Sequence, residues 1–195
     1  YIMRVIGGKY RGLKLLSPDG YNIRPTSDRL KESLFSIITS NKYKINIYSS
    51  NVLDICSGTG SLGIESLSRG ANSVFFIDKD HRSINLIYKN IAKLNIDDQI
   101  QNNIKIIKDE AIKALKNINK NFQIVLIDPP YNTNITEKCL FKLKELNLIN
   151  EDSFIFAESS KSENFNYDGY QILEIKVYGS SKLTILRLLS SSSIE

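Results

Sequence analysis

The chain has 195 residues, of which 42% are hydrophobic, and a net charge of +5. This is enough apolar content for one domain with a substantial core, and the lack of a run of about eighteen apolar residues or a signal-peptide pattern predicts a soluble, cytoplasmic protein. With two cysteines and a single histidine, a zinc site is not expected and no metal is predicted.

Positive charge is concentrated near the start of the chain. Residues 1–50 hold nine basic and three acidic side chains, so the remainder is close to neutral. A cationic segment on a near-neutral body suits a polyanion such as RNA, and a solvated basic surface with no partner is the alternative. Gly7, Gly8 and Gly12 lie among the basic residues and predict a hairpin extension, residues 1–24, whose backbone approaches RNA closely.

A helix is predicted after the hairpin extension. Thr26 or Ser27 can cap its start, and apolar residues recur on one face from Leu30 to Ile38. Nothing in the middle of the chain has the composition of a linker. Residues 25–195 are therefore predicted to form one globular domain.

A strand predicted at 51–56 runs into a glycine-rich loop. Two glycines let the chain turn sharply beside a ligand, and the helix predicted at 62–69 presents free N–H groups to it. The strand contains an acid that suits the cationic amino group of S-adenosylmethionine better than a pyrophosphate, and no lysine follows the glycines. The cofactor-binding candidates here are Asp54, Cys56, Ser57, Gly58, Thr59 and Gly60.

Acidic residues also follow the next two predicted strands. The strand at 73–78 ends in an acid, at the position where open α/β sheets bind the hydroxyl pair of a ribose. The strand at 104–107 is followed by two acids, either of which could accept from the amino group of adenine. Solvated acids are the alternative, but the pattern repeats at three successive strands and favours a cofactor site. The candidates are Asp78, Lys79, Asp109, Glu110 and Ala111.

The most informative segment follows a strand predicted at 122–127 and consists of Asp128, Pro129, Pro130 and Tyr131. A base amino group is a poor nucleophile because its lone pair is delocalised into the ring, so an enzyme must hold both amino hydrogens while an electrophilic methyl group approaches. Asp128 and the carbonyl of Pro129 could do this, because prolines supply no competing N–H donor. Tyr131 offers a flat face for a purine, whereas the alternative is a strand end with a tight loop.

The remaining pattern alternates strands and helices. Apolar residues from Ile84 to Leu94 mark a helix, and a fifth strand is predicted at 153–157. Five such strands predict a parallel sheet with right-handed crossovers, whose carboxyl ends bring the candidate residues to one edge. Segments 170–178 and 181–189 are separated by a Gly-Ser turn and predict an antiparallel hairpin that completes a seven-stranded α/β sheet.

With these motifs the chain resembles the bacterial 16S ribosomal RNA guanine-N2 methyltransferases, a family of class I S-adenosylmethionine-dependent enzymes. The resemblance covers nearly the whole chain and rests on residues 3–12, 24–35, 54–60 with 65–71, and 128–131. The first two segments are the specific ones, because DNA adenine methyltransferases share the other motifs. The resemblance implies a Rossmann-like class I methyltransferase fold. One departure is Asp78, where the family often has glutamate.

The resemblance implies transfer of a methyl group from S-adenosylmethionine to N2 of a guanine in 16S ribosomal RNA, as in enzymes specific for guanine 966. The glycine loop would bind the cofactor, Asp78 its ribose, and Asp128 to Tyr131 the flipped guanine. RNA contacts are expected from Arg4, Lys9, Arg11, Arg24, Thr26 and Arg29.

The expected partner is 16S ribosomal RNA within a small-subunit assembly particle, and the protein is expected to be a monomer without a membrane partner. Two alternatives stay open. One is a DNA or protein amino-methyltransferase that uses the same pocket. The other is a noncatalytic RNA-binding module that assists ribosome assembly.

Overall fold

The computed structural model describes residues 3–17, 28–96 and 98–189. Within these ranges, no helix is both long and apolar enough to cross a membrane. The elements in chain order are α1 (Asp28–Thr39), a short 3-10 helix (Ile47–Ser49), β1 (Asn51–Ile55), α2 (Ser61–Ser68), β2 (Ser73–Asp78), α3 (His81–Ala92), α4 (Asp98–Gln101), β3 (Ile104–Lys108), α5 (Ala111–Lys116), β4 (Ile124–Ile127), α6 (Ile135–Glu145), β5 (Phe154–Ser160), β6 (Tyr170–Tyr178) and β7 (Ser181–Leu188).

The strands form one seven-stranded sheet in the order β3-β2-β1-β4-β5-β7-β6. The first five strands of the chain pair in parallel, whereas β7 runs antiparallel to both β5 and β6. Ile55 pairs with Ile77 on one side and with Ile127 on the other. The loops after β1, β2 and β4 therefore leave the sheet at one edge. This confirms the predicted mostly parallel sheet with an antiparallel C-terminal hairpin.

Helices cover both faces of the sheet. Side chains of a strand alternate between its two faces, and β1 shows the result. Val52 belongs to the apolar core shared with α1, α2 and α3, while Leu53 and Ile55 belong to the core shared with α5 and α6. The two cores hold the sheet between helical layers and leave the carboxyl ends of the strands for a ligand.

The predicted strands lie where the sequence pattern put them, and their ends differ by a few residues. β2 spans residues 73–78 as predicted, whereas β4 begins at Ile124. β5 continues to Ser160 because it stays paired with β7 to that point. The predictions did not include α5 and α6, which follow the third and fourth strands. Thr26 and Ser27, the predicted caps of α1, lie outside the described residues.

The first described segment, residues 3–17, is called the N-terminal arm here. Its two limbs run antiparallel, with an isolated bridge between Arg4 and Lys14 in place of extended paired strands. The arm is part of the body's core through three buried side chains, Met3, Val5 and Leu15. The division of the chain at residues 24 and 25 stays a prediction, because it lies outside the described residues.

Candidate active site

A cavity of about 530 Å³ opens at the carboxyl edge of the parallel strands. That volume suits a cofactor-sized ligand. The loops after β1, β2, β3 and β4 form its walls, so the fold brings together four segments that are far apart in the chain. The predicted residues on these walls are Asp54, Cys56, Ser57, Gly58, Thr59, Asp78, Lys79, Asp109, Glu110, Ala111, Asp128, Pro129, Pro130 and Tyr131.

One predicted cofactor residue, Gly60, is not part of the wall and lies close to Ile87 and Phe76.

The structure also adds wall residues that the sequence reasoning missed. Each missed residue lies within four positions of a predicted one in the chain, so extending each motif along its loop would have found them. They are Ser61, Leu62, Ile77, Asp80, Ser83, Ile112, Thr133 and Ile135.

The glycine-rich loop turns sharply between β1 and α2. Cys56, Gly58 and Gly60 have φ angles of 60°, 54° and 77°, a left-handed region that glycine adopts at little cost. The N–H of Gly58 donates to Oδ2 of Asp78 at 2.8 Å, and the N–H of Gly60 donates to the carbonyl of Ser57 at 2.7 Å. The loop is therefore shaped by its own backbone and by a neighbouring acid.

Asp54 lies at the base of the cavity and is 1% exposed. Its Oδ2 accepts from the N–H of Gly63 at 2.9 Å, while its Oδ1 is buried with no hydrogen-bond partner among the described residues. Burial raises the pKa of Asp54 to about 8; the Gly63 hydrogen bond opposes this rise, and the nearby Asp128 and Asp78 add to it. A buried carboxylate oxygen without a partner is costly, so this one is suited to a cationic donor.

Gly63 makes the approach of α2 to this acid possible. A Cβ at this position would lie 2.9 Å from Oδ2 of Asp54 and 2.2 Å from the ring of Phe76. Both distances are shorter than van der Waals contact allows. A larger residue would push the start of α2 away from β1 and β2 and remove the hydrogen bond to Asp54.

Asp78 ends β2 and organises the loops on both sides of it. Its Oδ2 accepts from Gly58, and its Oδ1 accepts from the N–H of Asp80 at 2.8 Å. Burial raises the pKa of Asp78, and the same N–H groups of Asp80 and Gly58 oppose that rise. A carboxylate oxygen can accept more than one hydrogen bond. Asp78 could therefore hold both loops and still bind the hydroxyl pair of a ligand.

The two acids after β3 differ in their surroundings. The side chain of Asp109 is 25% exposed, with Oδ1 3.6 Å from Nζ of Lys113, and it also accepts from the N–H of Glu110 at 2.9 Å. The side chain of Glu110 is 70% exposed and lies 3.5 Å from Nζ of Lys79. Exposed ion pairs of this kind contribute little order or stability. Asp109 is thus the better-held acceptor of the two.

The segment Asp128 to Tyr131 forms the opposite wall. The N–H of Asp128 donates to the carbonyl of Ile55 at 3.2 Å, which continues the pairing of β1 and β4. Pro129 is buried, Pro130 is exposed and Tyr131 is half-buried. Tyr131 is among the residues that line the cavity.

The cavity is strongly acidic. Its walls carry six carboxylic acids and one lysine, which favours a cationic ligand over a pyrophosphate. In the ranges that the structure describes, no group of three or more histidine, cysteine or acidic side chains could hold a metal ion.

Known proteins share both the sequence and this architecture. Residues 3–187 match the family described as conserved hypothetical protein 95. The chain is 31% identical to ribosomal RNA small subunit methyltransferase D of Escherichia coli (strain K12), over 80% of this chain and 74% of that protein. It is 32% identical to the Haemophilus influenzae protein of the same name, over 83% of this chain and 80% of that protein. The chain belongs to the small-subunit ribosomal RNA methyltransferase D family.

A solved structure agrees with this membership. The Escherichia coli protein yhhF, described as a candidate methyltransferase, matches with a TM-score of 0.81 and 26% identity, over 96% of this chain and 98% of that one. The resemblance stated from the sequence motifs is therefore confirmed, and so is the class I methyltransferase fold.

In this member of the family, the predicted RNA-binding residues that the structure describes are not part of the cavity walls. Four of them are exposed: Arg4, Lys9, Arg11 and Arg29. The other two, Arg24 and Thr26, lie outside the described residues. The backbone N–H of Lys9 donates to the carbonyl of Ser68 at 2.7 Å. Since Ser68 ends α2 and the cavity adjoins its start, the tip of the arm is separated from the cavity by roughly 10 Å of helix.

A buried acid that the sequence reasoning missed holds the arm on the body. Glu65 in α2 is 0% exposed. Its carboxylate accepts from the backbone N–H groups of Ile6 and Gly7 at 2.8 Å each and from Nε of Arg69 at 2.8 Å. Three donors therefore converge on one buried carboxylate, and two of them belong to the arm.

Other contacts join the arm to the residues around the glycine loop. The fully buried Lys31 donates from Nζ to the carbonyl of Arg4 at 2.6 Å. The amide nitrogen of Asn90 donates to the carbonyls of Leu16 at 3.1 Å and Thr59 at 3.0 Å. The arm is thus a fixed part of the cofactor side of the molecule.

Gly7 and Gly8 have a packing role in the structure, and the expected approach of this backbone to RNA stays a prediction. A Cβ on Gly8 would lie 1.9 Å from the carbonyl oxygen of Ser68, and one on Gly7 would lie 2.4 Å from the guanidinium of Arg69. These glycines therefore let the arm lie directly against the end of α2.

Proposed function

We propose that the protein is a ribosomal RNA methyltransferase that transfers a methyl group from S-adenosylmethionine to N2 of a guanine in 16S RNA. The observation that carries the proposal is the shared cavity. At one side is the Oδ1 of Asp54, buried and without a partner among the described residues; at the other is the segment Asp128 to Tyr131. A cationic cofactor and a base can meet there. Relatives named as ribosomal RNA methyltransferases support the substrate class.

The acids of the cavity fit the parts of S-adenosylmethionine. Asp54 would accept from the ammonium group, because its buried oxygen needs a charged donor. Asp78 would accept from the ribose hydroxyls. Asp109 is preferred to Glu110 for the adenine amino group, because its carboxylate is less exposed and better held. When bound, the cofactor supplies an electrophilic methyl group.

The other half of the cavity would hold the target guanine. Asp128 accepts one hydrogen of the exocyclic amino group, the carbonyl of Pro129 accepts the other, and the ring of Tyr131 stacks on the flipped base. These contacts aim the nitrogen lone pair at the methyl carbon. Orientation of this kind removes much of the entropic barrier to transfer.

The charge that develops in transfer falls close to Asp128. The amino nitrogen forms its bond to the methyl carbon while the carbon–sulfur bond breaks, and the nitrogen becomes positive. The carboxylate of Asp128 stabilises that charge. One proton then leaves the nitrogen for solvent, so the reaction needs no histidine.

The exposed cations of the arm would contact RNA phosphates. Phosphate contacts position an enzyme on RNA without reading its sequence. We infer that the substrate is 16S RNA within a small-subunit assembly particle, bound by a monomer. A ribosomal RNA substrate implies that the protein works in the cytoplasm.

Transfer of a labelled methyl group tests this function. Small ribosomal subunits from cells that lack the modification, naked 16S RNA and DNA are incubated in parallel with the protein and labelled S-adenosylmethionine, and the products are digested to nucleosides. We expect label in N2-methylguanosine from the ribosomal substrate. Label in another base or in DNA would replace the proposed substrate, and no transfer to any acceptor would favour a noncatalytic RNA-binding module.

A further inference from the structure

We propose that Glu158 and Ser181 are positioning residues that fix the ring of Tyr131 at the base-binding end of the cavity. This inference rests on the proposed role of Tyr131 as a platform for the target base. Tyr131 lies in the loop that follows β4. The two side chains next to its hydroxyl, Glu158 and Ser181, belong to β5 and β7.

The phenol of Tyr131 has two polar neighbours. Its oxygen lies 2.8 Å from Oγ of Ser181 and 3.2 Å from Oε1 of Glu158. A phenol carries one proton, so it can donate to one neighbour and accept from another. The hydroxyl end of the ring is therefore held by two neighbours, and Tyr131 is one of the residues that line the cavity.

The supporting groups are buried although the ring they hold is not. Glu158 and Ser181 are each 4% exposed, and Tyr131 is half-buried. Burial of a carboxyl group costs free energy that an apolar residue would not require. An acid at this place is therefore better explained by the position it imposes on Tyr131 than by the stability of the sheet.

The strands that carry these groups form a rigid base. Ser181 pairs with Ser160, and Glu158 pairs with Leu183, in the antiparallel ladder of β5 and β7. Paired central strands move less than loops. The hydroxyl of Tyr131 is thus held by residues of a paired strand ladder and not by another loop.

A second contact fixes the chain on the other side of Tyr131. The carboxylate of Glu163 accepts from the N–H of Asn132 at 2.7 Å and from the N–H of Ser160 at 2.7 Å. The residue after Tyr131 is therefore tied to the end of β5. With both its hydroxyl and its following peptide held, the ring has its orientation before a base arrives, which reduces the entropy lost on stacking.

A double-mutant cycle tests the proposal. Glu158→Leu removes the acceptor at similar volume, and Tyr131→Phe removes the hydroxyl while it keeps the ring. We expect Glu158→Leu, which removes one hydrogen bond, to lower kcat/KM by about tenfold, mainly through kcat, with cofactor affinity unchanged. Tyr131→Phe removes the contacts with both Glu158 and Ser181 and should lower kcat/KM at least as much. The double variant should be no worse than Tyr131→Phe alone. Multiplied effects, or a Glu158→Leu enzyme as active as wild type, would overturn the proposal.

Two variants separate positioning from general damage to the sheet. Glu158→Gln keeps an acceptor oxygen and should stay within about threefold of wild type. Thr184→Val removes another buried hydroxyl from β7, one that faces Tyr167, and should leave kcat/KM unchanged. If Glu158→Gln is as impaired as Glu158→Leu, or if Thr184→Val is equally impaired, positioning of Tyr131 is the wrong explanation.

A measurement without RNA keeps this inference separate from the proposed function. In relaxation spectra of protein with labelled tyrosine, the ring axis of Tyr131, assigned through Tyr131→Phe, should have a higher order parameter in wild type than in Glu158→Leu, because the contacts hold the hydroxyl end of that axis. Equal order parameters would contradict the proposal even if ribosomal RNA is methylated. If RNA is not methylated but another acceptor is, the proposed substrate is wrong and the cycle is run on that acceptor.

Discussion

The N-terminal arm and the cavity are built in opposite ways. The cavity places five of its six acids in buried or half-buried positions. Among them, Asp54 is 1% exposed and has a raised pKa. The arm leaves its basic side chains in solvent, including Lys9 and Arg11, while its backbone is held by the buried carboxylate of Glu65. In the cavity, burial raises the free energy of the functional acids themselves. In the arm, the functional cations stay in solvent, and the buried group is the carboxylate that anchors the backbone.

This difference has a physical consequence. A buried charge interacts strongly with its surroundings, so its replacement has a large effect on chemistry or stability. An exposed charge is screened by water and salt, so its replacement changes only its own contact with a partner. Four substitutions test whether the two regions differ in this way.

The largest effect is expected from Asp128→Ala. Loss of the group that stabilises the developing charge should lower kcat by roughly 10²–10³, while affinity for S-adenosylmethionine stays within about twofold. Single-turnover methyl transfer and calorimetric titration measure the two quantities. The exposed Asp168→Ala is the matched control and should behave as wild type. Substantial turnover by Asp128→Ala would remove this acid from the mechanism.

The second effect concerns the anchor of the arm. Glu65→Ala leaves the guanidinium of Arg69 and two backbone N–H groups of the arm without their acceptor, and should lower the free energy of unfolding by about 3 kcal/mol. Urea unfolding measures it. Glu137 on α6 is exposed, and Glu137→Ala should change stability by less than about 0.5 kcal/mol. Equal stabilities for the two variants would show that the arm is not held as described.

The third effect has opposite signs for binding and stability. Asp54→Asn should weaken S-adenosylmethionine binding by roughly tenfold or more, because a charged hydrogen bond to the ammonium is lost. The same variant should be more stable than wild type at pH 8 without cofactor, because the cost of ionising a buried acid disappears. Thermal unfolding and calorimetric titration measure these changes.

The stability and the cofactor affinity of the wild-type protein should both depend on pH through Asp54. Its pKa is about 8 in the folded protein, against a usual 3.8, so the folded protein retains a proton that the unfolded chain releases. The contribution to stability is present below about pH 4 and is lost as pH rises towards 8. Cofactor affinity should rise over pH 6 to 8 as Asp54 ionises, and binding of methylthioadenosine, which lacks the ammonium, should not. A flat cofactor profile would contradict the assignment.

The smallest effect is expected in the exposed part of the arm. Lys9→Ala should weaken RNA binding by a few-fold and reduce the slope of log affinity against log salt by about one, with no change in melting temperature. Lys138 is exposed on α6, which packs on the opposite face of the sheet, so Lys138→Ala is the control. An equal loss of RNA affinity in the two variants would argue against a directed contact at the arm.

Local patterns were sufficient to predict much of the fold and most of the cavity wall. The apolar pattern predicted strand ends near Asp54, Asp78, Asp109 and Asp128. A parallel sheet brings the carboxyl ends of its strands to one edge, so the sequence also predicted that these acids lie together. The glycine loop was visible because its turn requires residues that adopt positive φ. The basic character of the first fifty residues was a matter of composition alone.

Only the tertiary structure decided what supports those groups. Nothing near Glu65 or Glu158 in the sequence identifies their partners, because Ile6 and Gly7 are far from Glu65 along the chain, and Ser181 and Tyr131 are far from Glu158. Such contacts arise from helix and strand packing, and local periodicity carries no information about them. The sequence by itself therefore determined which chemistry lies at the edge of the sheet, and the packing of distant segments determined how the arm, Asp54 and Tyr131 are held there.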